Sequence, residues 1–77
     1  MSYSVKYSPD CDKIRSQLSS SQRASLDRGV ALIAGDPYGS ATSEMRDRDH
    51  RQASAGDFIV VYQVTAEFLF ITVVRIV

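Results

Sequence analysis

One cysteine, one histidine, two prolines and no tryptophan among 77 residues close off a good deal of chemistry. A lone Cys11 cannot form an internal disulfide, and an unpaired thiol is what a reducing compartment permits, so a cytoplasmic protein is expected. One cysteine with one histidine cannot complete a zinc site, no glycine-rich phosphate loop precedes a helix start, and no serine stands in a nucleophile-elbow pattern. No metal and no cofactor is therefore expected. The segment before Pro9 holds no apolar run, which argues against a secretory leader. Excess charge is also lacking, because nine basic residues cancel nine acidic ones. A protein living on nucleic acid usually carries a positive surplus, so any basic surface here has to be local. The length predicts one domain, 1–77, whose small core leaves little margin and gives a partner something to stabilise.

The stretch from Asp57 to Val77 is rich in β-branched and aromatic residues, the composition a pleated, packed surface selects. A break at Thr65-Ala66-Glu67 divides it into two runs, which reads as a β-hairpin. Phe58, Val60, Tyr62 and Val64 fall on one face, Ile59 and Val61 on the other. Both faces are apolar, so the hairpin is expected either to be central and covered on both sides or to be covered on its second side by a partner chain. A self-complementary homodimer is the simplest such cover. Twenty residues from Phe58 to Val77 could also span a bilayer as a helix. Glu67 at the middle of that span costs about 2.5–3.5 kcal/mol, and Gln63 and Arg75 add to it, so strands are preferred.

Upstream, Tyr3, Val5 and Tyr7 alternate with polar residues, the period of a strand. Ser8-Pro9 supplies a cap and a first helical residue, predicting a helix over Pro9–Leu18 with Cys11, Ile14 and Leu18 inward. Ser19 and Gln22 have capping-box spacing for a second helix over Ser20–Ala34, with Leu26, Val30 and Ile33 buried and Gly35-Asp36-Pro37 as its stop. Gly29 weakens that helix by about 1 kcal/mol relative to alanine. After a loop comes Glu44-Met-Arg-Asp-Arg-Asp-His-Arg51, running into Ala55. As a solvated edge it would be a device against aggregation. Gly56-Asp57 reads as a tight turn. The sum is an α+β fold, β-α-α-β-β-β, with an antiparallel sheet over Tyr3–Ser8, Arg46–Ala55, Asp57–Thr65 and Phe68–Val77 and a helical hairpin on one face.

In element order, in Asp36-Pro37, Met45, Arg51 and Arg75, and above all in Gly56-Asp57-Phe58-Ile59-Val60-Val61-Tyr62, the sequence resembles the RelE/ParE-type toxins of bacterial type II toxin–antitoxin systems. That resemblance implies an antitoxin partner and, on the RelE side, ribosome binding with messenger RNA cleavage; the ParE side implies DNA gyrase as target instead. Two departures stand out: Ile59 occupies the place of a family arginine, and no tyrosine or histidine follows the last strand. Attack of a 2′-hydroxyl on phosphorus needs a base, an acid and cations where charge builds. The residues left for these tasks are His50, Arg51 and Arg75 as catalytic candidates, with Arg46, Arg48, Arg51 and Arg75 as RNA-binding ones. Against them stand plain alternatives: His50 merely exposed, Arg46 and Arg48 neutralised by Asp47 and Asp49, Tyr62 in the core. The function-level alternative is a catalytically silent interaction module on the same fold.

Overall fold

The alternation of the C-terminal stretch produces two strands, β4 (Phe58–Thr65) and β5 (Phe70–Ile76), in a computed structural model that describes residues 2–77. They pair antiparallel through a 3-10 turn at Ala66–Phe68, closed by Leu69 in the left-handed region at φ 56°. A leucine there carries about 1–2 kcal/mol of strain. No helix of the described residues is long and apolar enough to cross a membrane.

The remaining elements are β1 (Ser4–Tyr7), α1 (Pro9–Ser16), α2 (Ser20–Gly35), β2 (Thr42–Asp47) and β3 (His50–Ala55). The sheet order is β1-β5-β4-β3-β2. The α+β class is as expected, with two refinements. The charged segment forms two strands rather than one, because Asp47-Arg48-Asp49-His50 is itself a turn: Asp47 Oδ1 accepts from the backbone N–H groups of Asp49 and His50, each at 3.0 Å. The sheet is also not wholly antiparallel, since β1 returns from the other edge and pairs parallel with β5.

Local chemistry places the helices as read. Ser8 accepts from the Cys11 N–H and Pro9 opens α1; Ser19 and Gln22 close a reciprocal capping box on α2. Arg23 donates to the carbonyls of Arg15, Ser16 and Leu18, satisfying acceptors that the end of α1 leaves free. Arg15 grips Asp27 with two hydrogen bonds of 2.8 and 2.6 Å, and the Tyr7 hydroxyl donates to the same carboxylate at 3.2 Å, so one acid ties β1, α1 and α2 together.

The core lies between the helices and one sheet face. Cys11, Leu26, Val30, Ile33 and Ala34 meet Ala53, Ala55, Val60, Tyr62, Val64, Ile71 and Val73. The Phe58-to-Val64 set is thus the covered one, and Cys11 is a core residue, whereas Ile14 of the expected stripe stays exposed. A Cβ at Gly29 would come within 2.5 Å of the Ala55 Cα, so glycine is what lets α2 lie directly on β3. Gly56, at φ 62°, occupies the first place of the β3–β4 turn, against the Ser25 hydroxyl.

The uncovered face is less apolar than the hairpin alone suggests. Ile59 and Val61 are there, but between and beside them stand Gln52, Ser54, Gln63, Thr65 and Thr72. Sequence alternation could not show this, because the polar members come from β3 and from the register of β5.

Candidate functional site

A groove of about 700 Å³ opens on this uncovered face, lined by Glu44, Met45, Arg46, His50, Gln52, Val61, Gln63, Val74 and Arg75. Its chemistry is set by four strands, β2 contributing Glu44, Met45 and Arg46. β3 contributes His50 and Gln52, two positions apart and therefore on the same side. β4 contributes Val61 and Gln63, paired across from Gln52 and His50. β5 contributes Arg75, paired with Val61 past a register shift between Val61 and Tyr62.

His50 begins β3 directly after the hairpin turn, so the side chain of Asp47 meets its ring. Nδ1 lies 2.9 and 3.0 Å from the two Asp47 carboxylate oxygens. A carboxylate only accepts, so Nδ1 carries the hydrogen, and in the neutral ring the lone pair is left on Nε2. The hydrogen bond from His50 holds the Asp47 carboxyl below the usual carboxylate range, helped by the two backbone N–H groups. A base oriented by an acid, with Arg46 and Arg75 lining the same groove, can take a proton from a hydroxyl while cations face the anion being attacked.

The structure does not bring all the sequence candidates together. Arg51, next to His50, points to the opposite face and is buried. There its Nε donates to Thr42 Oγ1 at 3.0 Å and a terminal nitrogen to the Arg48 carbonyl at 3.1 Å, with Glu44 4.0 Å away. Adjacent strand residues alternate sides, so His50 and Arg51 face opposite surfaces, and Arg51, a catalytic and RNA-binding candidate by sequence, lies outside the groove. Arg48 sits in the turn, its guanidinium 4.3 Å from the centre of the Tyr38 ring and outside the groove. Tyr62 is fully buried and its hydroxyl donates to the Pro37 carbonyl at 2.6 Å; burial pushes its pKa up, which suits a structural residue. Ile59 lies on the open face, half exposed.

By sequence alone Asp47 is no more than a neutraliser of its neighbours, and Gln52 and Gln63 carry no signal. The Asp-x-x-His spacing of a two-residue turn was the available signal for the first. Nothing short of the strand register marks the two amides. Among the described residues no three of His, Cys, Asp and Glu gather as metal donors.

The sequence matches no family model and no curated protein. Solved structures do match it. The isolated RelE toxin of E. coli superposes with a TM-score of 0.80 at 20% identity, over 96% of this chain and 81% of that one. A double mutant of the same toxin in the free state gives 0.82 at 20% identity, over 99% and 82%. That mutant in complex with a peptide of the antitoxin RelB gives 0.79 at 20% identity, over 99% and 82%. At this identity the likeness is one of architecture, and the chain carries the fold of the RelE toxin.

Proposed function

We propose that this protein is a RelE-like toxin that binds RNA on its open sheet face, acts in the cytoplasm on ribosome-associated messenger RNA, and cleaves it with His50 as the base. The observation that carries this reading is the Asp47–His50 pair opening onto a groove shared with Arg46 and Arg75. His50 Nε2 takes the proton of a ribose 2′-hydroxyl as its oxygen forms a bond to the adjacent phosphorus. The bond from phosphorus to the 5′ oxygen breaks, and that oxygen takes a proton from water. Arg46 and Arg75 face the charge that builds on the phosphoryl oxygens. The products are a 2′,3′-cyclic phosphate and a 5′-hydroxyl.

An antitoxin is the partner proposed, since the fold it shares with E. coli RelE is one that a RelB peptide binds. In its absence, self-association over the half-exposed Ile59 and its neighbour Val61 is the corresponding arrangement. The test is growth on induced expression in bacteria, followed by analysis of RNA ends with the purified protein. Arrest relieved by His50→Ala, with cyclic-phosphate ends, supports the reading. Harmless expression with intact RNA would move the assignment to the interaction module.

A further inference from the structure

Cross-strand register aligns a row of polar side chains over the whole open face. His50 on β3 stands opposite Gln63 on β4, Gln63 opposite Thr72 on β5, and Thr72 beside Lys6 on β1. Asp47 extends the row at the β2 end. Neighbouring strands lie about 4.8 Å apart, so three steps carry the row about 14 Å from His50 to Lys6. At its far end the Lys6 ammonium sits 4.0 Å over the ring centre of Phe70, which is half-buried on the same face.

The charges along this face suit a polyanion. Lys6, Arg46 and Arg75 stand against Asp47, whose carboxylate is engaged by His50, and Glu44 at the groove edge. An aromatic ring on a sheet beside a cation is also how single-stranded nucleic acid is held. The base stacks on the ring and the phosphate meets the charge, and a four-stranded sheet typically takes two or three bases. The long lysine stem lets the ammonium swing from the ring to a phosphate, leaving the Phe70 face for the base.

We propose that single-stranded RNA crosses the strands along the row from His50 to Lys6, and that Lys6 with Phe70 forms a second subsite for a nucleotide about two positions from the one at His50. This rests on the reading of the open face as an RNA site. It adds a binding residue from the other edge of the sheet, and it sets a minimum substrate length.

The experiment is polarisation binding at low salt with labelled, 2′-O-methylated oligouridylates of two and six nucleotides, which bind without being cut. Lys6→Ala is expected to weaken the hexanucleotide several-fold and to reduce its log–log salt slope by about 0.7, while leaving the dinucleotide unchanged. Lys6→Arg is expected to retain hexanucleotide binding. Lys6 is exposed and tied only to Phe70, so the alanine variant keeps the fold. Unchanged hexanucleotide binding by Lys6→Ala, with wild-type affinity intact, would overturn the subsite alone. So would equal weakening at both lengths. No binding of either oligonucleotide by the wild type would overturn the RNA reading together with the subsite. A Lys6-dependent affinity for a polyglutamate peptide in place of RNA would assign the face to protein and overturn it as well.

Discussion

The Tyr38 hydroxyl donates to Asp49 Oδ1 at 2.6 Å, bolting the loop after α2 to the turn that presents His50. The same aspartate is anchored by its backbone, where its carbonyl accepts from the Val64 N–H at 2.8 Å, and Arg48 lies over the Tyr38 ring. Tyr38→Phe removes one hydrogen bond and is expected to cost about 1 kcal/mol in urea unfolding. It should also lower RNA cleavage without changing RNA affinity, since the groove's cations are not touched. An equal loss of both would count against a role for this contact in holding the turn.

Arg51 and Arg75 separate stability from function. Arg51→Ala removes the donor to Thr42 Oγ1 and to the Arg48 carbonyl, two part-buried hydrogen bonds, and the packing of a buried side chain, and is expected to destabilise by about 2 kcal/mol. Arg75→Ala, on the exposed groove wall, is expected to leave the unfolding midpoint within about 0.5 kcal/mol of wild type while weakening RNA binding. Both relieve growth arrest, and thermal melts distinguish why.

Val60 and Val61 report on the two faces of β4. Val60 is fully buried, so Val60→Glu places a charge in the core and is expected to unfold the domain, a loss of more than ~4 kcal/mol. Val61 lies on the open face, and Val61→Glu is expected to keep a wild-type far-UV spectrum while abolishing any concentration-dependent sedimentation. Unfolding by both would mean the open face is covered within the chain.

Gly29→Ala gains about 1 kcal/mol of helix propensity yet is expected to lose about 2 kcal/mol overall, because the added carbon meets the backbone of β3 rather than a yielding side chain. A stabilised variant in chemical denaturation would show that α2 can lift from the sheet at little cost.

Stability should fall at both ends of the pH scale for different reasons. Hydrogen bonding from Arg15 holds the Asp27 carboxyl below its ordinary value. Its contribution is present above about pH 4, where the unfolded chain is also ionised, and is lost as pH falls through the lower folded value. Burial, then the charge of Asp27, pushes Tyr7 up to about 12, and burial and Asp49 do the same to Tyr38. Those contributions are full below about pH 10 and are lost as pH rises towards 12. Asp27→Asn is expected to flatten the acid limb of a Tm–pH curve, and Tyr7→Phe with Tyr38→Phe the alkaline limb.

The fold was legible where one signal acts locally. Ser8-Pro9 and the Ser19/Gln22 box fixed the helix starts, and the Val60/Val61 alternation fixed the hairpin. What escaped depends on partners distant in sequence. The core side of β4 was open until Leu26 and Val30 were seen against it, and the parallel pairing of β1 with β5 has no mark in either strand. Of the candidate site, residue type alone singles out His50, Arg51 and Arg75 alike, and only strand parity separates Arg51, on the covered face, from the two that line the groove.

Parity also gives Val74 an importance its side chain does not suggest. The β4–β5 pairing runs Val61 with Arg75 and then Tyr62 with Val73, leaving Val74 without an opposite number. Val73 points to the core, so strict alternation would send Arg75 there too. The supernumerary valine turns the strand half a step, and the guanidinium emerges on the groove side while Ile76 returns to the core. Deletion of Val74 would therefore leave the faces as they are, Arg75 following Val73 on the groove side and Ile76 inward, whereas ironing the bulge flat with Val74 kept would drive the cation inward and Ile76 outward.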